Sequence, residues 1–392
     1  MLDRVIGVGV GFALGFLTCA ASCERSEEEC PSVDPRPGCT SDCGAPGSLL
    51  WERTFQGGAS GRVAALTVDA CGSVIATGEV RPSRFTGSEE IWVATYHADG
   101  ELAWSVADRL THGATGAAVT LHEGRIYVGG QAIVSGVGLA SGDRRPLVRA
   151  YSTQGEGLQT HILGDDDLDV VDGFAMDAEG RFLALTRLGS TWTIPPQEPP
   201  VETFDFTELR AVARMVASGD GRVAVLGASA TDDLTVLLLV YDSEGTEIWR
   251  ASRDVFPRHV GFDGEGTLVI VDGPEDDVIT VRRYLPSGGT AVAESVPLPS
   301  GVRLFASTVD QRGRVVVGGD LEDAQGLRVP WVARLSATGV EWSWTRPDLP
   351  GDGSVQSLAV DAVDAVFVGA RVDVSALSGM IGSDIWIGRL AP

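Results

Sequence analysis

The chain has 392 residues, is 44% hydrophobic and 21% charged, and holds 50 glycines, a composition that suits many short strands and tight turns. Its formal net charge is −24, and all 30 of its basic residues are arginine. So acidic a chain repels phosphate backbones, which excludes nucleic acid as a partner, and the missing lysine excludes Schiff-base and P-loop chemistry.

Residues 1–22 read as a signal peptide. Arg4 is followed by an apolar run of 13 residues, Val5–Leu17, the length of a signal core. Ala20, Ala21 and Ser22 then lead to Cys23. This resembles a bacterial lipoprotein signal, with Ala20 standing where that family favours leucine. The resemblance implies cleavage before Cys23, lipidation of that residue and an anchor in the cell envelope, expected at the outer membrane. Cys19 is a competing site, but bulky Phe16 and Leu17 precede it. Left uncleaved, Val5–Ser22 would be a marginal membrane span. Residues 23–46 are acidic and contain Pro, Ser and Gly, the composition of a tether rather than a core. Cleavage before Cys23 leaves Cys30, Cys39, Cys43 and Cys71 as disulfide candidates, with three possible pairings. A zinc site fits worse, because the C-x8-C-x3-C spacing matches no common motif and no histidine is near.

From residue 47 onward one pattern recurs: an apolar strand, a tight turn, a second apolar strand. It reads ALTVDACGSVIATG (65–78), AVTLHEGRIYVGG (118–130), GFAMDAEGRFLAL (173–185) and ARMVASGDGRVAVLG (213–227). It returns as HVGFDGEGTLVIVDG (259–273), ASTVDQRGRVVVGG (306–319) and SLAVDAVDAVFVGA (357–370). The residue closing the turn is Gly72, Gly124, Gly180, Gly221, Gly266, Gly313 and, in the last copy, Asp364. Between copies lies a second strand pair, as in IWVATYHADGELAWSV (91–106), TVLLLVYDSEGTEIWRA (235–251) and PWVARLSATGVEWSWT (330–345). Each unit is therefore four strands. Such a unit cannot bury both faces alone, and radial stacking buries them while leaving only short edges. The last unit ends at DIWIGRLAP and lacks its fourth strand, whereas GSLLWERTF (47–55) is an orphan strand of that type. These observations predict an all-β, seven-bladed β-propeller of four-stranded antiparallel blades over 47–392, with strand 47–55 completing the last blade. The third blade is expected to be irregular, because TWTIPPQEPPVETFDFTEL (191–209) holds four prolines.

The stretch LLWERTFQGGASGRVAALTVDACGSVIATG (49–78) resembles the bacterial SBBP β-propeller repeat at Trp51, Gly57, Gly58, Asp69, Gly72, Thr77 and Gly78. It departs at Ser73 and Ile75, near which that family favours Asn and Tyr. The resemblance covers 47–392 with falling strength. It implies a propeller in an exported bacterial protein and no single activity.

No catalytic constellation emerges. G-x-S-x-G and H-E-x-x-H are absent, and His122-Glu123 has no second histidine at the needed spacing. The five histidines are scattered and read as structural or solvated. The repeated Trp92, Trp331 and Trp386 are expected to pack between blades. No cofactor is expected. Asp165, Asp166 and Asp167 with Asp169 could offer oxygens to Ca²⁺, but the run lacks the turn glycine of an EF-hand and reads better as a solvated loop. The second–third strand connections, at 79–90, 131–146, 189–204, 320–329 and 371–383, are long and varied, so recognition is expected on their face. Arg144, Arg145, Asp165, Asp166 and Asp167 are the binding-face candidates. The function expected is that of a monomeric, non-enzymatic binding or scaffold protein at the cell envelope. It would meet the membrane only through its lipid and take an envelope protein or glycan as ligand. The alternative is an envelope glycan hydrolase or lyase using carboxylates in the propeller funnel.

Overall fold

The computed structural model describes residues 45–392 apart from some single positions and connecting segments, the longest being 136–142, 177–181 and 376–380. The strands form seven four-stranded antiparallel sheets. The first strand of each blade is innermost and packs against the first strands of the blades on either side. These inner strands are Ser60–Val68, Ala114–His122, Val171–Met176, Leu209–Ala217, His259–Phe262, Val302–Val309 and Gly353–Val360, in blades 1 to 7. Blade 7 is completed by Leu49–Phe55, which pairs antiparallel with Ile381–Leu390. The Gly47 N–H donates to the Ala391 carbonyl at 3.0 Å, and the Ala391 N–H to the Ser48 carbonyl at 2.8 Å. The architecture is the seven-bladed propeller that the repeat predicts, closed by the strand that the repeat leaves over.

Position within the blade explains the sequence pattern. Second strands are covered on both faces and are nearly continuous in buried residues, as Val74 to Gly78 show. Outer strands alternate between half-buried and exposed residues, as Glu247–Arg253 does, because one face meets water. Six inner strands slip register by one residue at the same height. The bulge turns a carbonyl toward the second strand. A Cβ on Gly78, Gly130 or Gly319 would strike the carbonyl oxygen of Arg62, Thr115 or Arg303, which accounts for the Thr-Gly and Gly-Gly ends of those strands. The D-x-x-G turns are Asx turns. The Asp69 carboxylate accepts from the Cys71 and Ser73 N–H groups at 2.9 and 2.8 Å, and Asp263, Asp310 and Asp361 repeat this.

Tryptophans on outer strands staple each blade to the next. The Trp51 indole N–H donates to the Ala98 carbonyl at 2.9 Å, and its ring lies where a Cβ on Gly100 would come within 2.5 Å. Trp104 repeats the contact on Gly155 in blade 2, Trp249 on Gly288 in blade 5, and Trp342 on Gly47 at the seam. The tryptophan repeat therefore packs between blades. On the third strands, Trp92, Trp331 and Trp386 are at most 1% exposed.

The third blade is complete, with Val171–Met176, Phe182–Thr186, Ser190–Thr193 and Val201–Asp205 as its strands, and it is irregular in that its third strand has four residues and slips register between Thr191 and Trp192. The expected strand connections need correction. The prolines of blade 3 fall between the third and outer strands, where no ladder donor is needed, so 189–204 is not a second–third connection. The connections at 131–146 and 371–383 are also mostly strand. Ladders run out to Ser135 paired with Asp143 and to Ser375 paired with Ile381, because pairing satisfies the backbone beyond the core.

Trp51→Ala should lower the stability of the ring by about 3–5 kcal/mol in urea unfolding, since it empties a packed site and removes a hydrogen bond. Gly100→Ala should cost about 1–3 kcal/mol by forcing the same indole outward.

Candidate binding face and funnel

The second–third connections and the blade-to-blade links share one face of the propeller, and the inner strands start there. Charges at this rim are tied together. Both oxygens of Asp172 accept from Arg187, at 2.8 and 2.9 Å. Asp272 accepts from Arg253 on one oxygen and from Arg282 on the other at 2.9 Å. Asp320, 1% exposed, accepts from Arg303 at 2.9 and 2.7 Å and from Arg328 at 3.3 Å. The Arg303 guanidinium lies 5.7 Å from the ring centre of Phe305, which is 43% exposed on the inner strand of blade 6. Burying Asp320 without its arginines would strand a charge, so the pairing fixes the Arg303 side chain beside Phe305.

The seven copies can be compared position by position through their pairing. One residue of each inner strand lies opposite the same point of the second strand: Ala65, Ala118, Gly173, Arg214, His259, Ala306 and Ser357. Five are small, and the two that are not sit in neighbouring blades. The bulged residue just before it is Ala64, Ala117, Asp172, Ala213, Phe305 or Gln356 where the slip occurs. The departures from small residues thus fall on blades 3 to 7. Arg214 also borders a small cleft between blades 3 and 4, with Met215, Asp172 and Arg187.

His259 lies in this region. Burial, and next the charge of Arg214, push its imidazole down to about 3, so it is neutral at pH 7. Its Nε2 is buried and has no hydrogen-bond partner. Sequence reading placed His259 among the structural or solvated histidines and passed over Arg214 and Phe305. Aligning the copies on the residue that closes the tight turn is the signal that singles them out.

The residues expected to bind are distributed otherwise. Arg144 and Arg145 lie in the blade 2 hairpin, paired with Ile133 and Ala132. Arg145 donates to the Gly164 carbonyl at 3.2 Å, so it braces the link to blade 3. Asp165, Asp166 and Asp167 lie outside the described residues, as do Cys23, Cys30, Cys39 and Cys43. Asp169, beside the acidic run, is 2% exposed. Cys71 is disulfide-bonded. Among the described residues no helix is long and apolar enough to cross a membrane, and no group of three His, Cys, Asp or Glu could hold a metal ion.

No protein-family model and no curated protein sequence matches the chain. Solved structures do. Virginiamycin B lyase from Staphylococcus aureus is 12% identical, covering 87% of this chain and 98% of the lyase, with a TM-score of 0.55. The WD40 β-propeller domain of Doa1 is 12% identical over 87% of this chain and 96% of its own, with a TM-score of 0.53. YCF48 bound to D1 peptide is 10% identical over 89% and 100%, with a TM-score of 0.52. At such identity these likenesses show the β-propeller fold alone.

His259 gives a pH test. In the unfolded chain it takes a proton near 6.5, in the folded one only near 3. The unfolded state therefore binds more protons between those values. The stability linked to His259 is whole above about pH 6.5 and falls as pH drops toward 3. His259→Gln should lose less stability than the parent between pH 7 and 4.5 in urea titrations. Parallel profiles would contradict the burial of a neutral imidazole.

Proposed function

We propose that this protein is an exported, lipid-anchored propeller that acts as a non-enzymatic binding or scaffold protein at the cell envelope. The apolar run Val5–Leu17 and the small residues before Cys23 support export and lipidation at Cys23, with 23–46 as tether and the outer membrane as destination. The SBBP-like repeat, from Trp51 to Gly78, supports the same setting. One observation carries the binding reading: at the funnel rim Asp172, Asp272 and Asp320 each have both oxygens engaged by arginine. A rim so locked is a rigid, pre-organised surface, and Phe305 stands exposed on it as an aromatic anchor.

A protein segment is the favoured partner, and the YCF48 structure with its bound peptide supports this as a use of the fold. The alternative, a glycan hydrolase or lyase, requires carboxyl groups free to attack or to give a proton. Virginiamycin B lyase has a similar fold and supports that alternative in principle. The arginine-bound rim carboxylates argue against it.

The test is photo-cross-linking and affinity purification of the lipidated protein from its native envelope, beside Phe305→Asp and Glu265→Ala variants. Glu265 lies in a tight turn on the opposite face. A stoichiometric partner should be retained by Glu265→Ala and reduced at least tenfold by Phe305→Asp. Cleavage of envelope glycans by the purified protein, with no partner recovered, would overturn the proposal.

A further inference from the structure

We propose that Cys71 is joined to Cys43, so that a disulfide clasps the start of the closing strand to the tight turn of blade 1. This rests on the export reading, since disulfides persist in oxidising compartments, and adds a covalent part to the closure of the ring.

Elimination points to the segment that supplies the partner. Cys71 is disulfide-bonded within this one chain. The chain holds 6 cysteines, and the others, Cys19, Cys23, Cys30, Cys39 and Cys43, all precede Gly47. Signal cleavage removes Cys19 and lipidation occupies Cys23, which leaves Cys30, Cys39 and Cys43. The place of Cys71 in the repeat agrees. It stands just before the residue that closes the tight turn, where the other copies hold Glu123, Glu179, Asp220, Glu265, Arg312 and Val363. Of these Glu123, Glu265, Arg312 and Val363 are exposed, whereas Cys71 is half-buried. The thiol is thus confined to blade 1, the blade next to the closing strand.

Contacts on the tight-turn face bring the two ends of the bond together. A Cβ on Gly72 would lie 3.5 Å from the Ala98 side chain. The Ala98 carbonyl accepts from the Trp51 indole N–H and from Arg389, both at 2.9 Å. Two residues beyond Arg389, Ala391 pairs with Gly47 and Ser48. Cys71 therefore sits one turn away from where the closing strand begins. Cys43 precedes Gly47 by four residues and closes the shortest loop of the three candidates. Extended, those four residues reach roughly 14 Å. This pairing also leaves Cys30 and Cys39 to each other. The strand benefits from a tie, because no residue of Leu49–Phe55 is fully buried. Its ladder, Trp51 and Glu52 hold it with little apolar burial, and the bond lies in parallel with them. It forms by exchange with the disulfide of an envelope thiol oxidant, which takes up two electrons and two protons from the Cys43 and Cys71 thiols.

The full chain is purified from its native envelope without reductant, with free thiols blocked. Cutting after arginine and before aspartate separates Cys30, Cys39 and Cys43, at Asp34 and Asp42. Mass spectrometry without reduction should find the Cys43 peptide joined to the Cys71 peptide. A free Cys71 thiol, or Cys71 joined to any other cysteine, would overturn the pairing. Hydrogen exchange then tests the clasp. In Cys43→Ser and in Cys71→Ser the amides of Leu49–Phe55 should exchange about tenfold faster, and those of Val236–Tyr241 in blade 4 no faster. The double variant should match the single ones. Unchanged exchange in the folded variants would overturn the clasp. The lipid on Cys23 reports on the export reading separately. A bridged chain without lipid would sink that reading and leave the clasp, and a lipidated chain with a free Cys71 would do the reverse.

Discussion

A ring of blades persists only if its two chain ends meet in one sheet, and here they meet along the ladder between Leu49–Phe55 and Ile381–Leu390. The closing strand also reaches both neighbours. Trp51 docks on the turn of blade 1, while Glu52 takes the Trp386 indole N–H at 2.9 Å and pairs with Arg346, whose guanidinium lies over Trp386. Gly47 receives Trp342 of blade 6 as a turn glycine would, although the chain is interrupted there. Apolar clusters run unbroken across the seam, joining Val63 and Trp92 of blade 1 to Phe367 and Ile385 of blade 7. Arginine latches reinforce this sector. Arg283 donates to the Gly313 carbonyl at 2.7 Å, Arg334 to that of Asp364 at 2.6 Å, and Arg389 to that of Ala98 at 2.9 Å. In a repeat ring each blade is held by its neighbours, so the funnel keeps its shape only while that seam holds.

The fold was legible because each of its rules leaves a mark at fixed spacing. The Asx turn demands Asp with Gly three residues on, the bulge demands a glycine opposite, and the indole staple demands a glycine under it. Asp69, Gly72, Gly78 and Trp51 are those marks in the first repeat. The connection at 189–204 was misplaced because proline reports only that a ladder donor is missing, not which connection it occupies. Pro195 and Pro200 sit in a link that never needed the donor. Strand length was misjudged at 131–146 for a related reason: once a hairpin leaves the core, burial no longer shapes its sequence, and backbone pairing alone carries it to Ser135 and Asp143.

The site was far less legible. A motif search looks for sets close in sequence, whereas Arg214 and His259 become neighbours only through the stacking of blade 4 on blade 5. Phe305 looked like one more apolar residue in a strand, and its exposure follows from a one-residue slip between Leu304 and Ala306. Arg144 and Arg145 stood out for charge, yet pairing and the bond to Gly164 give them a bracing role.

The closing strand has a mechanical side. It runs from the tight-turn face, where the chain joins the ring at Gly47, to the opposite face, where Phe55 pairs with Ile385. Tension between the N-terminus and anything gripped at the far rim acts along this strand, not across it. The ladder is then loaded in shear, its bonds sharing the force together instead of parting one after another. Forced opening is governed by the barrier to that concerted rupture. Pulling the two chain termini apart instead unzips the same ladder from Gly47 and Ala391, so the resistance of the ring depends on the direction of the tug.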